Sequence, residues 1–149
     1  MSDVFESVID VAGGHGALAA LLMILIPSVK LAVVVDPAQV GNNGVEKAWG
    51  EFYKCHGKKL QYRYECLRTG LAAELNQAIQ KEQIHPSRIL IVACHACQHR
   101  TDETLEIACS YGVHIAVMSC CQKDHTGGAW KAVGKSILQD SNVNLGIAP

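Results

Sequence analysis

Aromatic residues are scarce in this chain: two Trp, four Tyr and two Phe make up 5% of its 149 residues, so its core must be aliphatic. Charge is scarce as well. Asp, Glu, Lys and Arg amount to 18% with a formal net charge of -1, which excludes the whole-domain basic footprint of a non-specific nucleic-acid binder. Nothing reaches membrane length, because the most apolar run, Ala17 to Ile26, stops at Pro27, short of the roughly 20 residues that cross a bilayer. The opening MSDVFESVID lacks the basic start and apolar stretch of a secretory signal. A cytoplasmic protein with no membrane partner is expected. Its seven cysteines then read as thiols or metal ligands rather than a disulfide framework. Repeats, linkers and low-complexity segments are missing too, so residues 1–149 read as a single domain. What is present is a 49% hydrophobic composition, too high for disorder, in a chain long enough to bury a sizeable core.

The apolar residues fall into alternating strand and helix patterns. Val8 to Ala12 is a short run closed by glycines, and Leu31 to Val35 is β-branched and closes on Asp36-Pro37; both read as buried strands. Between them, Ala17 to Ile26 is apolar all round, which predicts a deeply buried helix. Val45, Ala48, Trp49 and Phe52 recur at helical spacing, as do Leu71, Leu75, Ala78 and Ile79, the second set ending near His85-Pro86. Leu60 to Leu67 predicts a weaker third strand, Ile89 to Ala93 a fourth and His114 to Ser119 a fifth. Thr101-Asp102 offers an N-cap for a helix reaching Gly112, and Trp130, Val133 and Ile137 suggest a last amphipathic helix. Such alternation predicts an α/β fold with a doubly wound, mainly parallel sheet of about five strands, whose ligands bind at the carboxyl ends of the strands.

Asp10-Val11-Ala12-Gly13-Gly14-His15-Gly16 joins the first strand to the first helix, and Asp36 ends the next strand. Glycines let the backbone approach a ligand and set a helix N-terminus against it, while an acid in the position of Asp36 accepts hydrogen bonds from ribose hydroxyls. A tight turn with a helix-capping Asp would use the same residues; the order strand, loop, helix, strand, acid favours a nucleotide site. Gly14 to Ala19 also fits the G-x-G-x-x-A dinucleotide fingerprint, so NAD competes with S-adenosylmethionine at this point.

The loop resembles motif I of the class I S-adenosylmethionine-dependent methyltransferases, D-x-G-x-G-x-G, with Ala12 in place of the first glycine. The resemblance extends to His95-x-Cys97, Thr101-Asp102 and the pair Cys120-Cys121, a pattern similar to a methyltransferase-like branch that includes eukaryotic 2'-O-methyltransferases of the tRNA acceptor stem. Gln98 stands where that pattern has glycine, and Gln122-Lys123-Asp124 intervenes before His125. The resemblance implies a Rossmann-like fold that binds S-adenosylmethionine, with Asp10 under the methionine amino group and Asp36 on the ribose. Gly14 and Gly16 then line the methionine end and Glu65 contacts adenine. It implies RNA (tRNA) or a small molecule as the acceptor. The family's usual sixth and seventh strands find little room after His125, so a truncated or minimal domain is expected. A non-catalytic methyltransferase-like binding module and an NAD-dependent oxidoreductase are the alternatives.

Methyl transfer to a hydroxyl is an in-line displacement that requires alignment and loss of the hydroxyl proton. His95, after the fourth strand, is the candidate base, and Cys97 a candidate for shaping the acceptor pocket. A buried histidine among cysteines acting as small hydrophobes is the structural alternative. Zinc held by four of His95, Cys97, Cys120, Cys121 and His125 is another, although the spacing is not that of a finger; a metal-free site is expected. Tyr53 to Lys59, Tyr62 to Tyr64 and Arg68 form the densest basic and aromatic stretch. A solvated helix end leading into an edge strand accounts for it better than nucleic-acid contacts do. In a five-stranded sheet the fifth strand is left as an apolar edge, which predicts a homodimer or a partner subunit there.

Overall fold

The computed structural model describes residues 4–39, 44–94, 96 and 99–118. Five strands, β1 (Ser7–Val11), β2 (Leu31–Val35), β3 (Lys59–Arg63), β4 (Ile89–Cys94) and β5 (His114–Met118), form one sheet in the order β3-β2-β1-β4-β5. Every pairing is parallel. Helices α1 (Ala17–Leu25), α2 (Gly44–Cys55), α3 (Leu67–Asn76) and α4 (His99–Tyr111) connect them, and a π-helical turn, Gln77–Lys81, prolongs α3. This is the Rossmann-like α/β arrangement.

Strand alternation divides the aliphatic core into two layers. Val8, Ala32, Val34 and Val92 point to one face and pack with Ala19, Ala20 and Met23 of α1 and Tyr53 of α2. Ile9, Val11, Val33, Val35 and Ile91 point to the other, under Leu67, Leu71 and Leu75 of α3 and Ile107 and Ala108 of α4. The chain first steps from β1 outward to β3, then crosses to β4 on the other side of β1. The strand order therefore reverses between β1 and β4, the switch point at which sheets of this kind take their ligands, in the crevice outside the strands' carboxyl ends.

Three sequence expectations need correction. Helix α1 is not deeply buried: Leu21, Ile24 and Leu25 are 49%, 57% and 64% exposed, because the sheet covers only the Ala19, Ala20 and Met23 side. The third strand stops at Arg63 rather than Leu67; Cys66 is extended and Leu67 opens α3, where its side chain joins the core. Helix α4 begins at His99, two residues before Thr101, so Thr101-Asp102 is not its N-cap. The Thr101 hydroxyl instead donates to the carbonyl of Ala96, tying the first turn to the segment after β4. Among the described residues no helix is long and apolar enough to cross a membrane. The helix expected around Trp130 to Ile137 lies outside them.

Candidate active site

The Ala12–Gly16 loop continues from β1 and is tied to the end of β2 and to β3. From β2, the Val35 carbonyl accepts the Ala12 N–H at 2.9 Å, and Asp36 Oδ2 accepts the Gly14 N–H at 3.1 Å. Asp36 Oδ1 takes the Ala38 N–H at 2.9 Å. The half-buried Asp36 carboxylate is thus fixed by backbone donors on both oxygens and keeps lone pairs for a further donor. Ala12 sits at φ 56°, a left-handed conformation that costs a residue with a Cβ roughly 1–2 kcal/mol. That cost marks the loop as held in place by its surroundings.

Gly16, at φ 74°, is the N-cap residue of α1 and has no side chain to cap it. Asp10 does this from β1: its Oδ2 accepts the Ala19 N–H at 3.1 Å. Asp10 is 1% exposed, and its Oδ1 is buried without a hydrogen-bond partner. Burial disfavours the charged form, the Ala19 N–H partly offsets it, and the nearby Asp36 carboxylate adds repulsion. The net effect raises the Asp10 pKa to about 6. Gly13 is required directly above: a Cβ there would lie 2.5 Å from Asp10 Cγ. A buried carboxylate with one idle oxygen beneath a glycine loop has the electrostatic character of a cation site.

Asp10, Gly14, Gly16 and Asp36 lie together around the β1–α1 loop and the end of β2. Glu65, just beyond β3, is engaged by an ion pair. The Glu65 carboxylate lies 2.8 Å from Arg63 Nη1, and the Arg63 Nε–H donates to Glu74 of α3, beside a cavity of about 340 Å³. His95, Cys97, Cys120, Cys121 and His125 lie outside the described residues. Their flanks are Cys94, half-buried at the end of β4 opposite Met118, and the buried Ala96. Among the described residues, no three His, Cys, Asp or Glu side chains are grouped to hold a metal. The basic stretch is largely absorbed by the fold: Lys58 Nζ donates to the Met23 carbonyl at 2.5 Å, Arg63 pairs with Glu65 and Glu74, and Arg68 with Glu103 and Glu106.

One residue was missed. Tyr62 of β3 donates its hydroxyl to the His15 carbonyl at 2.9 Å, inside the glycine loop. The signal was present in the strand phase, because Asp10, Val34 and Tyr62 stand side by side across β1, β2 and β3 and so share one face.

Comparison with known proteins adds a likeness of fold. No family model and no curated protein matches the sequence. Among solved structures, human N-acetylserotonin methyltransferase in complex with S-adenosylmethionine is 19% identical, with a TM-score of 0.44 over 89% of this chain and 35% of that one. The apo form of the S-adenosylmethionine-dependent methyltransferase SibL is 17% identical, with a TM-score of 0.44 over 89% of this chain and 36% of that one. The chain spans about a third of the length of each.

Proposed function

We propose that this chain is a class I methyltransferase domain that binds S-adenosylmethionine through Asp10, Asp36 and the Gly13–Gly16 loop. The observation that carries this reading is the idle, buried Oδ1 of Asp10. A cationic ammonium or sulfonium ligand would ionise Asp10 and satisfy it. A dinucleotide's pyrophosphate would instead face two carboxylates, at a helix N-terminus whose Ala19 N–H is already taken by Asp10. Asp36 supports the same ligand with its remaining acceptor sites, suited to ribose hydroxyls. Bound there, S-adenosylmethionine supplies an electrophilic methyl group. The chain's own part is to fix the nucleoside and methionine ends, and, through His95, to take the proton of the acceptor hydroxyl. The acceptor we propose is RNA.

Calorimetric titration with S-adenosylmethionine, S-adenosylhomocysteine and NAD tests the cofactor. Asp36→Ala is expected to weaken S-adenosylhomocysteine by about 1–3 kcal/mol, the cost of losing a charge-assisted acceptor. Unchanged affinity in that variant, or tighter binding of NAD in the parent protein, removes the assignment. A chain that binds the methyl donor but transfers nothing to bulk RNA removes the RNA acceptor.

The proposal extends to assembly. β5 is the outermost described strand beside β4, and its Met118 is 59% exposed. Free strand edges are templates for pairing, so a second copy is expected to pair there. Light scattering at rising concentration checks this, and a mass that stays monomeric counts against it.

A further inference from the structure

We infer that Tyr62 is a positioning residue for the ligand loop: its hydroxyl latches the His15 carbonyl and holds the Gly14–Gly16 backbone at the crevice. This deepens the methyl-donor reading and rests on it for the ligand, though not for the loop. The latch spans 47 residues of sequence at 2.9 Å. It acts where the loop lies close against β2 and β3. A Cβ on Gly16 would lie 2.8 Å from Val34 Cγ2 and 2.9 Å from the Tyr62 hydroxyl, so that glycine permits the approach and Tyr62 secures it.

Tyr62 stacks on Tyr64, with ring centroids 6.5 Å apart and planes 16° apart, and the Tyr64 hydroxyl donates to Glu46 of α2. Burial, reinforced by the charges of Glu46, Tyr64 and Asp10, pushes the Tyr62 phenol up to about 12. The hydroxyl therefore stays a donor throughout the neutral range. The other ties on the loop come from the end of β2, through Val35 and Asp36. Tyr62 adds the third strand and the only one of these ties that acts on a carbonyl of the Gly14–Gly16 segment.

Tyr62→Phe removes the hydroxyl and keeps the ring, with Tyr64→Phe as the matched loss of a hydroxyl that does not touch the loop. Two readouts are taken on the full chain. Amide hydrogen exchange of the Gly14–Ala17 segment without ligand is expected to speed up about fivefold in Tyr62→Phe and to stay at the parent rate in Tyr64→Phe. S-adenosylhomocysteine affinity is expected to fall about fivefold in Tyr62→Phe alone. Exchange at the parent rate in Tyr62→Phe, or equal acceleration in both variants, overturns the latch whether or not any ligand binds. Faster exchange with unchanged affinity overturns the positioning role. Faster exchange in Tyr62→Phe, with a parent protein that binds no S-adenosylhomocysteine, leaves the latch standing and removes the methyl-donor reading.

Discussion

Asp10→Asn is expected to weaken S-adenosylhomocysteine binding by about 10- to 100-fold while making the ligand-free protein more stable at neutral pH. The binding loss follows from removing the buried carboxylate proposed to pair with the ligand's ammonium, an interaction of roughly 1.5–3 kcal/mol. The gain in stability follows from linkage. The folded protein raises the Asp10 pKa from 3.8 to about 6, so between those values it binds the proton more tightly than the unfolded chain does. Stability is then greatest below about pH 4 and falls as pH rises through about 6, by roughly 3 kcal/mol in all. Asparagine keeps an oxygen for the Ala19 N–H and carries no charge to bury. Urea denaturation from pH 4 to 7.5 should show the two proteins diverging up to about pH 6, with the variant the more stable by about 2–3 kcal/mol above it. Parallel profiles would mean that Asp10 pays no penalty for ionising in the fold. A companion effect belongs to the parent protein, whose affinity for S-adenosylhomocysteine should drop as pH falls below 6, because the bound state needs the carboxylate.

Gly13→Ala should destabilise the protein by about 1–3 kcal/mol and abolish measurable binding of S-adenosylhomocysteine. Its new methyl carbon would sit 2.5, 2.6 and 2.9 Å from Asp10 Cγ, Oδ2 and Oδ1. The carboxyl group cannot swing aside without losing the Ala19 N–H, so the loop must lift. The position has no positive φ, so the effect is steric and specific to this pair. Gly14 provides the contrast, because a Cβ there meets nothing within 4 Å and only its φ of 53° opposes substitution. A double-mutant cycle isolates the cause. In an Asp10→Ala background the clash disappears, and Gly13→Ala should cost at least about 1 kcal/mol less than in the parent. An equal cost in both backgrounds would place the strain outside the Asp10–Gly13 contact.

The order of strands and helices among the described residues, the parallel α/β class and the place of Asp10, Gly14, Gly16 and Asp36 at the ends of the first two strands were legible in the sequence. Short β-branched runs such as Leu31 to Val35 have few other ways to be buried, and glycines and acids at strand ends are visible as punctuation. Tertiary structure decided the rest. The burial of α1 depended on what packs against its outer side, which its uniformly apolar composition could not reveal. The partners of Glu65 and Tyr62 were set by the end of β3 at Arg63. That boundary lets the Arg63 guanidinium draw Glu65 and Glu74 together, and the strand phase turns Tyr62 toward the loop of a strand two places away. The raised pKa of Asp10 also lay beyond the sequence, since it arises from burial under Gly13 and from the field of Asp36, 26 residues further along the chain. Local pattern encodes which groups lie at the ends of strands; the dielectric and the neighbours that set their chemistry exist only after distant segments have packed.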